Sequence, residues 1–276
     1  MRLVQSPAFV LHAFDYRETS RIVRLATREV GVVSVIARGA RRAQNSFGPA
    51  LDLFASGIAH VTLHPTHDLH ALTAFDVTRA RPELASSLSR FAAASALSEV
   101  CMRVAKEEDA GQVHDAATAL LDAIGRAARD DVATVTLAGI WRLVAELGFA
   151  PSLDACASCH AALPGAGAVT FHHRTGGALC ARCAPRIPGG RALPDEARAV
   201  LTSWLAGDEG ERRAAAGAAR AAAVASNGRT IRAHQRLLRE FLEEHMGDGR
   251  ALRAFTSWEE RCAEADAGVA APAGTP

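Results

Sequence analysis

The sequence predicts an α+β protein in which a five-stranded β-barrel precedes an all-helical domain with an inserted zinc ribbon. Three observations carry that prediction. β-Branched and aromatic residues recur in short runs over the first eighty residues, helical periodicity replaces them from Arg81 onward, and two Cys-x-x-Cys pairs interrupt the helices. With 276 residues, 49% of them hydrophobic, the chain can bury a sizeable core and has length for two domains.

The expected strands are 8–16, 21–27, 32–38, 52–63 and 69–80. The last alternates, with Leu69, Ala71, Thr73, Phe75 and Val77 on one face, as a half-buried strand should. Gly31, the cluster Gly39, Asn45, Gly48 and Pro49, and the hairpin sequence His64-Pro65-Thr66-His67-Asp68 supply the turns. Five short strands fit an oligonucleotide-binding (OB) barrel over residues 1–80, and an SH3-like barrel fits almost as well.

Arg81-Pro82-Glu83 opens the helices, because proline is tolerated in a first turn and an acid there complements the helix dipole. Leu84, Leu88 and Phe91 recur at helical spacing with Ala92 and Ser95 on the same side, and segments 113–128 and 132–147 continue the pattern. Gly148 reads as a helix stop with Pro151 beyond it. After a cysteine module at 153–185, helices are expected at 195–205, 212–225 and 229–246, so that the helical domain spans 81–262. The Ala-, Gly- and Pro-rich tail, 263–276, reads as disordered.

Within the module the spacing is Cys156-x2-Cys159, a twenty-residue interval and Cys180-x2-Cys183. Two such knuckles joined by a hairpin make a four-thiolate site for one structural zinc ion, closed to substrate. Val169-Thr170-Phe171-His172-His173 and Thr175-Gly176-Gly177-Ala178-Leu179 supply the strand, turn and strand between them. Cys156-Ala157-Ser158-Cys159-His160 has the form of a haem attachment site, but haem leaves the second pair unexplained. A zinc deaminase would need His-x-Glu and Pro-Cys-x-x-Cys, and the chain has neither. His160, His172 or His173 could replace a sulfur; with four cysteines at hand, a solvated position on the ribbon is the simpler reading. Cys101 reads as a buried small residue and Cys262 as an exposed thiol.

Six cysteines are too few for a disulfide scaffold in a chain this long. The first residues lack the apolar run of a secretory signal and no later stretch approaches the uninterrupted apolar length of a membrane span, so the expectation is a soluble cytoplasmic protein with no membrane partner. The net charge of +1 excludes nucleic-acid binding through an overall basic field, so any such binding must be local. Lys106 is the only lysine, and arginine carries the rest of the positive charge.

Two arginine groups stand out. Arg38, Arg41 and Arg42 leave a strand end on a glycine-containing loop, with Arg21 and Arg24 on the neighbouring strand, and guanidinium groups there can reach phosphate. Tyr16, the only tyrosine, and Phe47 are the nearby aromatics, each suited either to stack on a base or to fill the core. Arg229, Arg232, Arg236 and Arg239 fall on one face of a helix, either as a solvated face or as a stripe for phosphates or an acidic partner tail.

Tyr16-Arg17-Glu18-Thr19-Ser20, Arg21-Ile22-Val23-Arg24-Leu25, Thr27-Arg28-Glu29-Val30-Gly31 and Arg38-Gly39-Ala40-Arg41-Arg42 resemble the N-terminal barrel of the RecO family of bacterial DNA repair and recombination-mediator proteins. The order that follows, with Gly148-Phe149-Ala150-Pro151, the cysteine insertion and Arg250-Ala251-Leu252-Arg253-Ala254, extends the resemblance over residues 5–258. The family usually has lysine where this chain has Arg38, and a more basic last helix. The resemblance implies a non-enzymatic, nucleoid-associated mediator of homologous recombination and the DNA damage response. It would bind single- and double-stranded DNA, anneal complementary strands coated with single-stranded DNA-binding protein (SSB), engage the acidic SSB C-terminal tail, and work with RecR to help load RecA. From a different class, a zinc-ribbon RNA-binding or interaction protein of the translation or transcription apparatus fits the same elements. An enzyme fits least, because His-Glu-x-x-His, a Walker phosphate loop and Gly-x-Ser-x-Gly are all missing from the sequence.

Overall fold

A computed structural model describes residues 1–42, 47, 51–206, 228–246 and 250–269. Asn45, Gly48 and Pro49, the helix expected at 212–225 and the tail residues 270–276 lie outside the described residues. The chain divides into two compact units, Met1–Ala127 and Ala128–Pro276.

The first unit is built on β1 (Arg2–Tyr16), β2 (Ser20–Thr27), β3 (Gly31–Ala37), β4 (Ser56–Leu63) and β5 (Leu69–Arg79). They close in the order β1-β2-β3-β5-β4 into an OB-type barrel, antiparallel except where β3 runs parallel to β5 from Ser34↔Leu69 to Ala37↔Leu72. Val10, Val23, Leu25, Val35, Val61, Leu72 and Phe75 fill its interior, and Phe47 packs with them.

β1 starts before Pro7, although proline would ordinarily break a strand. Residues from Arg2 to Phe9 pair with β4 while those from Ala8 to Tyr16 pair with β2, so Pro7 sits where the strand changes partners. A missing N–H is tolerated there, and the Pro7 carbonyl still accepts the Arg28 N–H at 2.8 Å. β4 starts late, at Ser56, because Phe54 has φ of 68° and the segment before it turns. The expected alternation along β5 fails for a specific reason. The register slips between His60 and Val61 so that Thr73 is bulged out, its hydroxyl donating to the His60 carbonyl at 3.0 Å. The inward set becomes Leu72 and Phe75, leaving Leu69 and Val77 exposed.

Helices α1 (Pro82–Ala85), α2 (Leu88–Val104) and α3 (Ala110–Arg126) belong to the same unit. Residue 80 therefore separates strands from helices, while the compact body continues to Ala127. Arg81 fastens the two parts: its fully buried guanidinium donates to the Phe54 carbonyl (2.6 Å), the Ser56 hydroxyl (2.7 Å) and Asp122 (2.7 Å). Arg28 pairs with Asp115 of α3 at 2.9 Å. Leu88 does not share a buried stripe with Leu84; it begins a new helix after Ser87 and is exposed, whereas alanines bury α2.

The second unit holds α4 (Val132–Val144), a π turn (Ala145–Phe149), the ribbon strands β6 (Val169–His172), β7 (Gly177–Leu179) and β8 (Arg191–Leu193), then α5 (Asp195–Leu205), α6 (Gly228–His245) and α7 (Arg253–Val269). Gly148, at φ of 82°, ends the α4 segment as expected of a left-handed stop. The stretch Arg129–Phe149, with mean hydropathy 1.4, is long and apolar enough to cross a membrane, contrary to the sequence expectation. Its Leu137, Ile140, Trp141 and Val144 are buried in the protein, and charged residues flank and interrupt it, as in a core helix. The expected disordered tail is shorter than 263–276, since α7 continues through residues 263–269.

Candidate functional site

The ribbon is a three-stranded sheet in the order β7-β6-β8, and β8 is a strand that the sequence pattern did not reveal. Beside it each Cys-x-x-Cys forms a knuckle. The Cys156 N–H donates to the Ala161 carbonyl and the His160 N–H returns to the Cys156 carbonyl, both at 2.8 Å, with His160 in the left-handed region at φ of 59°. In the second knuckle the N–H groups of Cys183 and Ala184 both donate to the Cys180 carbonyl (3.0 and 2.9 Å). These turns bring the four sulfurs within 4.8 Å of one another, with Cys159 Sγ and Cys180 Sγ 3.8 Å apart. Tetrahedral zinc with Zn–S bonds of about 2.3 Å sets its sulfurs roughly 3.8 Å apart, so the donor set fits that ion.

The electrostatics favour a cation. Burial raises the Cys156 thiol, but N–H groups of Cys180, Cys159 and Ser158 aimed at its sulfur outweigh burial and bring it down to about 6. The Ala161 N–H, then the Arg182 guanidinium, lower Cys159. Cys183 moves the other way, to about 11, through hydrogen bonds with Cys159 and Cys180 and through burial. Four thiols this close cannot all ionise alone; a bound divalent cation removes the conflict.

No histidine joins the sulfurs among the described residues. His160 is solvent-exposed, but His172 and His173 are not solvated as expected. His172 bonds the Pro188 carbonyl at 3.0 Å, and His173 faces Glu240 of α6 at 3.0 Å. Glu240 also pairs with Arg191, His245 reaches the His173 carbonyl at 2.7 Å, and Phe171 packs near Phe241, so α6 anchors the ribbon. A side chain at Gly177 would collide with the Ser152 backbone, which explains glycine at that crossing. Cys101 is fully buried, its thiol pushed up to about 12 by burial. Cys262 is half-buried rather than an exposed thiol, with the Gln235 side-chain amide 3.3 Å from its sulfur.

The barrel arginines separate into two groups. Tyr16, Arg17, Glu18, Thr19, Ser20, Ile36, Arg38, Gly39 and Arg42 line an open groove of about 750 Å³ where the β1–β2 turn meets the end of β3. Arg38 and Arg42 are exposed there, and Arg38 has no ion-pair partner among the described residues. Gly39, at φ of 73°, lets the chain turn so that the Arg42 N–H donates to its carbonyl at 3.0 Å. Arg41 works differently. Its guanidinium pairs with Asp15 at 3.3 Å and reaches the carbonyls of Arg17 (3.5 Å) and Glu18 (3.4 Å), while its backbone N–H donates to Thr19 at 3.0 Å. Arg21 also pairs with Asp15, at 3.2 Å, and Arg24 turns away to the Met102 sulfur at 3.7 Å. Arg17, which the sequence reading passed over, joins the groove; its neighbour Tyr16 was the available signal.

On α6, Arg229 and Arg236 are exposed and Arg232 half-buried, whereas Arg239 is held between Glu243 and Glu259, each at 3.1 Å.

Comparison with known proteins covers nearly the whole chain. Residues 1–81 match the family described as Recombination protein O N terminal, and residues 85–253 match Recombination protein O C terminal. The protein named DNA repair protein RecO from Anaeromyxobacter dehalogenans strain 2CP-C is 36% identical over 256 residues, covering 92% of this chain and 96% of the relative. A protein of the same name from Anaeromyxobacter sp. strain Fw109-5 is 34% identical over 250 residues, covering 89% and 92% respectively.

Proposed function

The chain belongs to the RecO family, and from that premise we propose that it is a non-enzymatic mediator of DNA repair and recombination acting at the nucleoid in the bacterial cytoplasm. It binds single- and double-stranded DNA, anneals complementary strands coated with SSB, and helps load RecA together with RecR. The observation that carries this reading is the open groove on an OB barrel, where Arg38 and Arg42 face solvent beside a glycine turn. Exposed guanidinium groups on a fixed turn engage phosphates along the backbone, giving sequence-tolerant binding. Arg41 and Arg21 act through Asp15 to hold that turn rather than by touching DNA.

Cys156, Cys159, Cys180 and Cys183 hold one zinc ion, whose role is structural because four thiolates leave no position for substrate. The acidic SSB tail is met on α6 by Arg232 and Arg236, where cationic groups complement its charge.

The test is annealing. Complementary strands coated with SSB should pair faster with the protein than without it, and Arg38→Ala with Arg42→Ala should reduce the rate. A wild-type protein that binds single strands yet never accelerates annealing refutes the mediator reading. Tighter binding to RNA hairpins than to single-stranded DNA would favour a translation or transcription role instead.

A further inference from the structure

We propose that the β1–β2 turn carries a stacking face for one unpaired nucleobase, formed by the Arg17 guanidinium backed by the Tyr16 ring. The proposal rests on reading the groove as a nucleic-acid site and goes further by assigning a base contact within it. Arg17 lies at φ of 54°, an uncommon conformation for a residue with a side chain, and its guanidinium carbon lies 5.2 Å from the Tyr16 ring centroid. The side chain is exposed, lines the groove and has no ion-pair partner among the described residues. The guanidinium thus lies over an aromatic ring and is open to the groove.

The turn is held in place from behind. Arg41 reaches the Arg17 and Glu18 carbonyls, its N–H donates to Thr19, and Asp15 pairs with both Arg41 and Arg21. Those contacts fix the backbone that presents Arg17 while leaving its own guanidinium unspent. A planar cation on an aromatic ring presents a surface for another π-system, and a nucleobase offers one when it is unpaired. Arg38 and Arg42 on the same groove can hold the adjoining phosphates. In a duplex the base faces are already stacked on their neighbours, so this contact favours single strands.

Arg17→Lys separates the plane from the charge, because lysine keeps the cation and loses the flat surface. Binding should be measured at several salt concentrations against a thymine-only single strand and against the same backbone made of abasic sites, for wild type, Arg17→Lys, and Arg38→Ala with Arg42→Ala. Thermal melting confirms that each variant is folded. Arg17→Lys should weaken binding to the base-bearing strand by about five- to tenfold, leave the abasic strand unaffected and keep the salt slope. The double variant should weaken both strands. If Arg17→Lys binds the base-bearing strand like wild type, or weakens both strands equally, the stacking face is wrong and the groove stands. A double variant that binds both strands like wild type removes the groove, and the stacking proposal with it.

Discussion

The cysteine ribbon and the barrel groove use polar side chains in opposite directions. The ribbon turns four sulfurs inward until they lie within 4.8 Å of one another, whereas the groove exposes arginines to solvent and Asp15 pairs with two others, Arg41 and Arg21. A closed site can be specified by short spacings, because each knuckle orients two ligands through its own backbone. An open site cannot be specified that way. Asp15 on β1 captures Arg41 and Arg21, and that pairing across elements separates these two arginines from Arg38 and Arg42, which are exposed on the groove.

The largest effect that can break this contrast comes from the ribbon. Elemental analysis should find about one zinc per chain, and Cys180→Ser should lose it. Structural zinc contributes on the order of 10 kcal/mol to the folding of small modules, so the variant should also melt at lower temperature. A variant that keeps its metal and its melting temperature would show that the sulfurs are not a closed set.

An acid titration then sharpens the contrast by separating the ribbon from the helices that carry it. His234 of α6 is buried, lies 4.8 Å from the Trp204 ring, and has no hydrogen-bond partner for either ring nitrogen among the described residues. Burial pushes it down from 6.5 to about 4. The unfolded chain therefore takes up the proton first. The stability that neutral His234 represents is complete above about pH 6.5 and is lost as pH falls toward 4, by about 2 kcal/mol at pH 5. Urea unfolding of wild type and His234→Leu at pH 7 and pH 5 checks the sign. Acid release of zinc affects both proteins, so the gap between them should change in favour of the variant as pH falls; a constant gap would clear His234.

A smaller effect tests the division among the arginines. Arg38→Ala with Arg42→Ala should weaken single-strand binding about tenfold and flatten the dependence of log K on log salt by roughly 1.4, the value for two lost phosphate contacts. Arg41→Ala should leave the slope unchanged while loosening the turn. If Arg41→Ala flattens the slope as well, Arg41 touches phosphate and the grouping around Asp15 is wrong.

The same contrast explains which features were legible in the sequence. Five strands and the cysteine spacing depend on local pattern, and each strand overlaps the segment where the pattern placed it. The start of β1 was hidden because Pro7 is acceptable only at the change of partners, and the inward face of β5 was hidden because the Thr73 bulge depends on pairing with β4. Arg17 was passed over because its usefulness comes from a left-handed backbone angle and the ring beside it.

The smallest expected effect concerns the stripe on α6, where four arginines with one helical spacing invite a single role. Arg239 is held by Glu243 and Glu259, and Glu259 is itself half-buried, which raises its carboxyl above the usual range even with Arg239 opposing. Removing Arg239 leaves that carboxylate short of a partner, so Arg239→Gln should cost on the order of 1 kcal/mol of stability. It should hardly change affinity for an acidic, apolar-ended peptide. Charge reversal at Arg232 and Arg236 should do the converse, lowering peptide affinity while the folded state is kept. Titrating one labelled peptide against both variants, with a melting curve for each, compares the two roles directly. Equal losses of affinity would make the stripe a single surface, and an unchanged affinity in the Arg232 and Arg236 variant would move the partner site off this helix.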